Sequence, residues 1–151
     1  MDIKNLLRLL KENDVRFVVI GGVACVAHGF DRLTKDIDIF VEPTMENMQR
    51  TFNALTTLGY DLTDVTIEEA LQKKLLFRQY ILRTDIHPDV TGVDFQTVWK
   101  NKELINFKGQ EVYFASIEDL IKMKKAAGRD VDLKDLKYLE EIQKQLQKKK
   151  S

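Results

Sequence analysis

Two carboxylates spaced two residues apart, Asp36 and Asp38, follow a double glycine, Gly21-Gly22, after an interval of thirteen residues. The stretch that carries them reads Val18-Val-Ile-Gly-Gly-Val-Ala-Cys-Val-Ala-His-Gly-Phe-Asp-Arg-Leu-Thr-Lys-Asp-Ile-Asp-Ile-Phe40. Its pattern is a β-branched strand, a glycine turn, a short helix and an acidic strand. Alternation along the second strand sends Ile37 and Ile39 to one face and Asp36 and Asp38 to the other, so two carboxylates stand side by side above an apolar floor. A hard divalent cation prefers such an oxygen pair. The glycines let backbone amides approach an anion. An Asp-x-Asp strand by itself is equally well a solvated face of an antiparallel sheet, and it is the preceding glycine turn that favours a site.

The flanking elements have to hold that stretch in place. Residues 2–12 put Ile3, Leu6, Leu7 and Leu10 at helical spacing and stop at Asn13-Asp14. Arg16 to Ile20 is a short apolar run suited to a central strand with both faces covered, and residues 23–28 form a helix that Gly29 closes. Pro43 ends the acidic strand, and Thr44 caps a helix with Met45, Met48, Phe52, Leu55 and Leu58 on one face, down to Gly59. Thr66-Ile67-Glu68-Glu69 matches a capping box and opens a helix to about Lys74. Leu75 to Ile86 reads as one continuous strand, in which Asp85 and His87 share a face until Pro88 ends the pairing. Asp94 caps a helix containing Phe95, Val98 and Trp99. Glu103–Phe107, Lys108-Gly109 and Gln110–Ala115 form a hairpin. Ser116 caps a helix from Ile117 to Ala127 that finishes at Gly128, and a last helix starts near Asp132 with Leu133, Leu136, Leu139 and Ile142 on its stripe. The basic stretch 144–151 is expected to fray. No repeat or linker interrupts the chain, so residues 1–151 are expected to form a single domain.

With 151 residues, 44% of them hydrophobic, the chain can bury roughly two thirds of its unfolded surface. Lys plus Arg and Asp plus Glu balance at 24 each, so no global positive field attracts nucleic acid and a polyanion has to be met by a local patch. The single cysteine, Cys25, lies in an apolar helical stretch and reads as a buried hydrophobe rather than half of a disulfide. The amino terminus shows no charged leader with an apolar core, and no apolar run is long enough to span a bilayer. The expectation is a soluble cytoplasmic protein with no membrane partner.

The string Gly-Gly-x-Ala-x-x-x-His-Gly-x-x-Arg-x-Thr-x-Asp-x-Asp, here Gly21 to Asp38, is similar to the signature of the polymerase-beta-like nucleotidyltransferase superfamily. Within it, the string resembles the small bacterial branch that includes toxin components of abortive-infection and toxin–antitoxin systems. A second stretch, Glu118-Asp119-Leu120-Ile121-x-x-Lys124-x-Ala126-Ala127-Gly128-Arg129-x-x-Asp132-Leu133-x-Asp135-Leu136, is similar to the tail motif of the same enzymes. The resemblance implies an α+β fold, a nucleotidyltransferase-like domain with a mixed sheet packed by helices. It implies a magnesium-dependent transfer of a nucleoside monophosphate from an NTP to a hydroxyl, with release of pyrophosphate. Two Mg2+ ions would be held by Asp36, Asp38 and a third carboxylate. An antitoxin protein is the partner that the toxin branch implies.

In that branch the third carboxylate lies on a later strand, followed seven residues on by a glycine and then by an aromatic helix ending near a tryptophan. Asp85, with Gly92, Phe95 and Trp99, fits this register. Asp89 and Asp94 are rivals, and His87-Pro88 departs from the family pattern. Phosphate contacts are assigned to Gly21 and Gly22, to Arg32 and Lys35 between the short helix and the acidic strand, and to Lys124 and Arg129 in the tail motif. His28 reads as a hydrogen-bonded structural histidine, and Asp132 and Asp135 as partners of the basic side chains around them. The acceptor, whether RNA, protein or a small molecule, has no signature of its own. The alternative is a nucleotide- or partner-binding module on the same fold with little turnover.

Overall fold

The structure is a computed structural model and describes residues 3–34 and 36–150, with the side chain of Lys150 excepted. Near-continuous Val and Ile residues make the first strand, β1 (Phe17–Ile20), which is buried along its whole length. Burial on both faces suits an interior strand, and β1 lies between β2 (Asp36–Val41) and β6 (Gln110–Phe114). The remaining strands are β3 (Leu75–Phe77), β4 (Arg83–His87) and β5 (Glu103–Phe107), giving the order β3-β4-β2-β1-β6-β5. The sheet is mixed: β2 with β4 and β1 with β6 run parallel, and the other neighbours antiparallel. The fold is α+β, as expected.

Helices α1 (Ile3–Glu12) and α3 (Met45–Leu58) pack on each other and bury Leu6, Leu7, Leu10, Met48 and Leu55 against the sheet. The Thr44 hydroxyl accepts from the Asn47 amide at the start of α3, and Gly59 ends that helix in the left-handed conformation. The same side-chain capping opens α4 (Ile67–Gln72) at Thr66, α5 (Phe95–Asn101) at Asp94 and α6 (Ile117–Ala127) at Ser116. Between β1 and β2 lies α2 (Gly21–Ala27), which starts directly at the double glycine. The Lys108-Gly109 pair turns β5 into β6 with positive φ at both residues. The last described element is α7 (Asp130–Lys150), which includes residues 144–150 of the stretch for which the sequence predicts fraying. Cys25 is fully buried, and burial pushes its thiol up to about 11.

One element differs from expectation. The continuous strand over Leu75–Ile86 is a hairpin, with β3 and β4 antiparallel and Leu76 opposite Asp85. The turn between them, Arg78-Gln79-Tyr80-Ile81-Leu82, contains no Gly, Pro, Asn or Asp, so local turn chemistry does not announce it. Tertiary contacts hold it instead. Tyr80 stacks on Tyr60 with ring centroids 4.1 Å apart, and its hydroxyl accepts from the Asp61 amide at 2.7 Å. The Tyr60 hydroxyl donates to the Leu82 carbonyl at 2.8 Å.

Candidate active site

The parallel register of β2 and β4 puts Asp36 opposite Arg83, Asp38 opposite Asp85 and Phe40 opposite His87. Since alternate residues share a face, Asp36 and Asp38 on one strand and Asp85 and His87 on its neighbour stand together. Ile37 and Ile39, fully buried, point the other way. All four polar residues line one cleft of about 430 Å3, together with Gly22, Arg32, Thr34, Lys74, Arg78 and Lys124. A second cleft of about 510 Å3 shares Asp38 with it and is lined by Gly21, His87, Asp89, Thr91, Met123 and Lys124, among others. Asp38 and His87 therefore border both spaces.

The double glycine is fitted to this wall. Gly21 has φ +70°, and a Cβ there would overlap the Asp38 carboxylate. A Cβ on Gly22 would lie 3.3 Å from the Arg32 guanidinium. The turn thus packs against an acid on one side and a cation on the other, with no side chain of its own to occupy the clefts.

The acids are held tightly but incompletely. His87 Nε2 donates to Asp38 Oδ1 at 2.9 Å, and Arg78 Nη2 donates to Asp85 Oδ2 at 3.2 Å. That hydrogen bond and the charge of Asp85 raise the Arg78 guanidinium above its ordinary value, with Asp36 and Asp38 adding to the effect. Two buried oxygens, Asp36 Oδ1 and Asp85 Oδ1, have no hydrogen-bond partner. Asp38, Asp85 and His87 each offer a donor atom, all within 4.8 Å of one another. Orphaned carboxylate oxygens beside a converging O, O, N donor set are what a divalent cation would satisfy, so the residues fit the metal that the sequence implies.

Behind the acids lies an ion-pair network. Lys124 Nζ is 3.3 Å from Asp132 Oδ1 and 2.9 Å from Asp135 Oδ2. Arg32 Nη1 donates to both Asp135 oxygens, at 2.5 and 2.6 Å. Arg129 donates to Asp132 through its backbone N–H at 3.1 Å and through Nε at 2.7 Å. Asp132 and Asp135 are each 1% exposed. Burial opposes ionisation of Asp132, but the Arg129 hydrogen bonds and the Lys124 charge outweigh it and hold the carboxyl below its ordinary value. The network ties the loop before β2 to α6 and α7, and Arg32, Lys124 and Arg129 line the acidic cleft through it.

A family model described as "Nucleotidyltransferase of unknown function (DUF6036)" matches residues 1–148. The chain belongs to this family. A search of curated proteins finds no match to the sequence. Among solved structures, the nucleotidyltransferase is similar to the lincosamide antibiotic adenylyltransferase LnuA with lincomycin bound, at 19% identity and a TM-score of 0.63 over 93% of this chain and 97% of that one. It is also similar to a candidate nucleotidyltransferase from Thermotoga maritima, at 17% identity and TM-score 0.53 over 97% and 91% of the two chains. An antigenic nucleotidyltransferase-like protein from Paracoccidioides brasiliensis aligns at 18% identity and TM-score 0.56, over 89% of this chain and 71% of that one. At these identities the likeness is one of fold.

Of the site residues that the sequence predicts for this nucleotidyltransferase, the structure gathers Gly21, Gly22, Arg32, Asp36, Asp38, Asp85, Lys124 and Arg129 around the two clefts. Lys35 lies outside the described residues. Asp94 is turned to α5, where its carboxylate accepts from the Thr97 amide at 2.9 Å, and Asp89 borders the second cleft. His28 is structural, its Nε2 donating to the Ala115 carbonyl at 2.9 Å. The clefts also hold residues that the sequence does not assign to the site, His87, Arg78 and Lys74 among them. His87 was signalled by its shared face with Asp85; Arg78 and Lys74 were hidden by the hairpin. Among the described residues no helix is long and apolar enough to cross a membrane.

Proposed function

We propose that this nucleotidyltransferase moves a nucleoside monophosphate from an NTP to an acceptor hydroxyl in a Mg2+-dependent reaction. The acceptor oxygen forms a bond to the α-phosphorus, the bond from that phosphorus to the bridging β-oxygen breaks, and pyrophosphate leaves with the electron pair. Asp36, Asp38 and Asp85 are the metal-holding and catalytic carboxylates of this reading, with His87 as a neighbour able to orient Asp38. Bound there, two Mg2+ ions would offset charge on the triphosphate and on the departing pyrophosphate. Asp85, set against the acceptor, draws the hydroxyl proton. Gly21 and Gly22 leave room for the phosphates, and Arg32, Lys35, Lys124 and Arg129 add positive potential around them. The acceptor in this reading is a hydroxyl of RNA, protein or a small molecule, and the resemblance to the toxin branch adds an antitoxin as protein partner, in a cytoplasmic setting.

The observation that carries this reading is the pairing of Asp38 with Asp85 across parallel strands, beside a glycine turn and two unsatisfied carboxylate oxygens. Incubation with each α-labelled NTP, Mg2+ and mixed RNA, protein and small-molecule hydroxyl acceptors tests it. Label appearing on an acceptor, with pyrophosphate released and both lost on chelation by EDTA, is the expected result. Tight NTP binding with no product from any acceptor would replace the enzyme by a binding module on the same fold.

A further inference from the structure

Five described cations line the two clefts: Arg32, Lys74, Arg78, Lys124 and Arg129. Four of them are already committed to a carboxylate at 3.3 Å or less, Arg32 to Asp135, Arg78 to Asp85, Lys124 to Asp132 and Asp135, and Arg129 to Asp132. Only Lys74, of these five, has no carboxylate partner among the described residues. It also borders both clefts, alongside Asp38, His87, Lys124 and Arg129.

The backbone explains this position. Lys74 lies between the C-cap of α4, Lys73, and the first residue of β3, Leu75. The β3–β4 register opposes Leu75 to Ile86 and Leu76 to Asp85, so one further step along the ladder sets Lys74 beside His87. Alternation gives Lys74 the face of Leu76 and Asp85, which is the face of the carboxylates. Its neighbour Lys73 leaves on the other side, toward Glu69 at 3.9 Å.

We propose that Lys74 is the phosphate-binding residue of the site, meeting the β- and γ-phosphate oxygens of the NTP where the two clefts join. This rests on the nucleotidyl-transfer reading and assigns within it the cation that recognises the triphosphate. A triphosphate that recruited Lys124, Arg129 or Arg32 would have to compete with buried carboxylates for the same N–H groups. Lys74 has no such tie, and its ammonium group is a compact point charge on a flexible stem that can follow phosphate oxygens. Lys124 and Arg129 then contribute field, while Lys74 contributes the contact. A contact to the β- and γ-phosphates adds to the preference for NTP over NMP.

Calorimetry with Mg2+ and each of ATP, GTP, CTP and UTP, and with the NMP of whichever NTP binds, tests the assignment on wild type, Lys74→Ala, Lys74→Arg and Lys73→Ala. The expected result is that Lys74→Ala weakens NTP binding by roughly tenfold or more, the scale of one charge-assisted hydrogen bond. NMP binding and the thermal midpoint should be unchanged, Lys74→Arg should recover most of the affinity, and Lys73→Ala should match wild type. NTP affinity in folded Lys74→Ala equal to wild type overturns the proposal and leaves nucleotidyl transfer standing. Equal weakening of NTP and NMP overturns it too, by moving Lys74 to the nucleoside. A wild type that binds no NTP removes the functional reading and this assignment together.

Discussion

Asp38 is the residue with most at stake, because it borders both clefts and carries the hydrogen bond from His87. Asp38→Asn keeps the shape and removes the charge, so it should abolish Mg2+-dependent nucleotide binding while leaving the fold intact. Unchanged affinity by calorimetry with Mg2+ present would show that the metal is held elsewhere. Asp94→Asn is the matching control: its carboxylate caps α5 through the Thr97 amide, Asn caps as well as Asp, and transfer should stay within a few-fold of wild type. At this scale the sequence was informative where alternation acts alone. Asp36 and Asp38 need only the strand period to share a face. Asp85 is implied by the family resemblance, through its register with Gly92, Phe95 and Trp99, and His87 shares its face in the sequence but is given no role in the site there. Arg78 and Lys74 were not legible, since their approach to the acids depends on a chain reversal that Tyr60 and Tyr80 hold from a distance.

The elements that support the site are α6, α7 and the glycine turn. Lys124 joins α6 to α7 by binding two buried carboxylates at once. Lys124→Met would leave Asp132 and Asp135 short of a counter-charge, and loss of one partner of a buried ion pair costs about 3–5 kcal/mol. The expected outcome is a lowered urea midpoint, and a midpoint equal to wild type would mean that Arg32 and Arg129 suffice. The same network sets an acid limit. Because Asp132 is held below its ordinary carboxylate value in the folded chain, its contribution is complete above that value and is lost as pH falls through the lower, folded one. Stability should therefore drop on acidification below the usual carboxylate range, and less steeply in Asp132→Asn, as urea midpoints across acid pH will show. In the turn, Gly21→Ala meets two obstacles, a positive φ and the Asp38 carboxylate. It should destabilise by at least about 1 kcal/mol and weaken metal binding as well. The caps at Thr44, Thr66, Asp94 and Ser116 were legible in the sequence because each is a local pattern over four residues. The ion-pair partners were named only as a class, since which Asp meets which cation is decided by how α7 folds back on the loop before β2.

Across the whole molecule, the sheet order β3-β4-β2-β1-β6-β5 places the two acid-bearing strands side by side and leaves hairpins at both edges. A strand that is apolar on both faces points to the interior place of β1, but the parallel pairing of β2 with β4 involves residues far apart in sequence and is not legible there; the family resemblance places the third carboxylate on a later strand without saying how that strand pairs. Lys and Arg balance Asp and Glu over the chain, so recognition of a nucleotide rests on the clefts rather than on a general positive field. The most direct test of the account is single-turnover transfer from a labelled NTP by wild type and Asp85→Asn, with nucleotide affinity measured on the same samples. Asp85 acts on the attacking hydroxyl, so its substitution should spare NTP affinity and slow the chemical step by at least ~10²-fold, the low end for a positioned acid–base group. An Asp85→Asn protein that transfers at the wild-type rate would contradict the assignment of these three carboxylates as the catalytic centre.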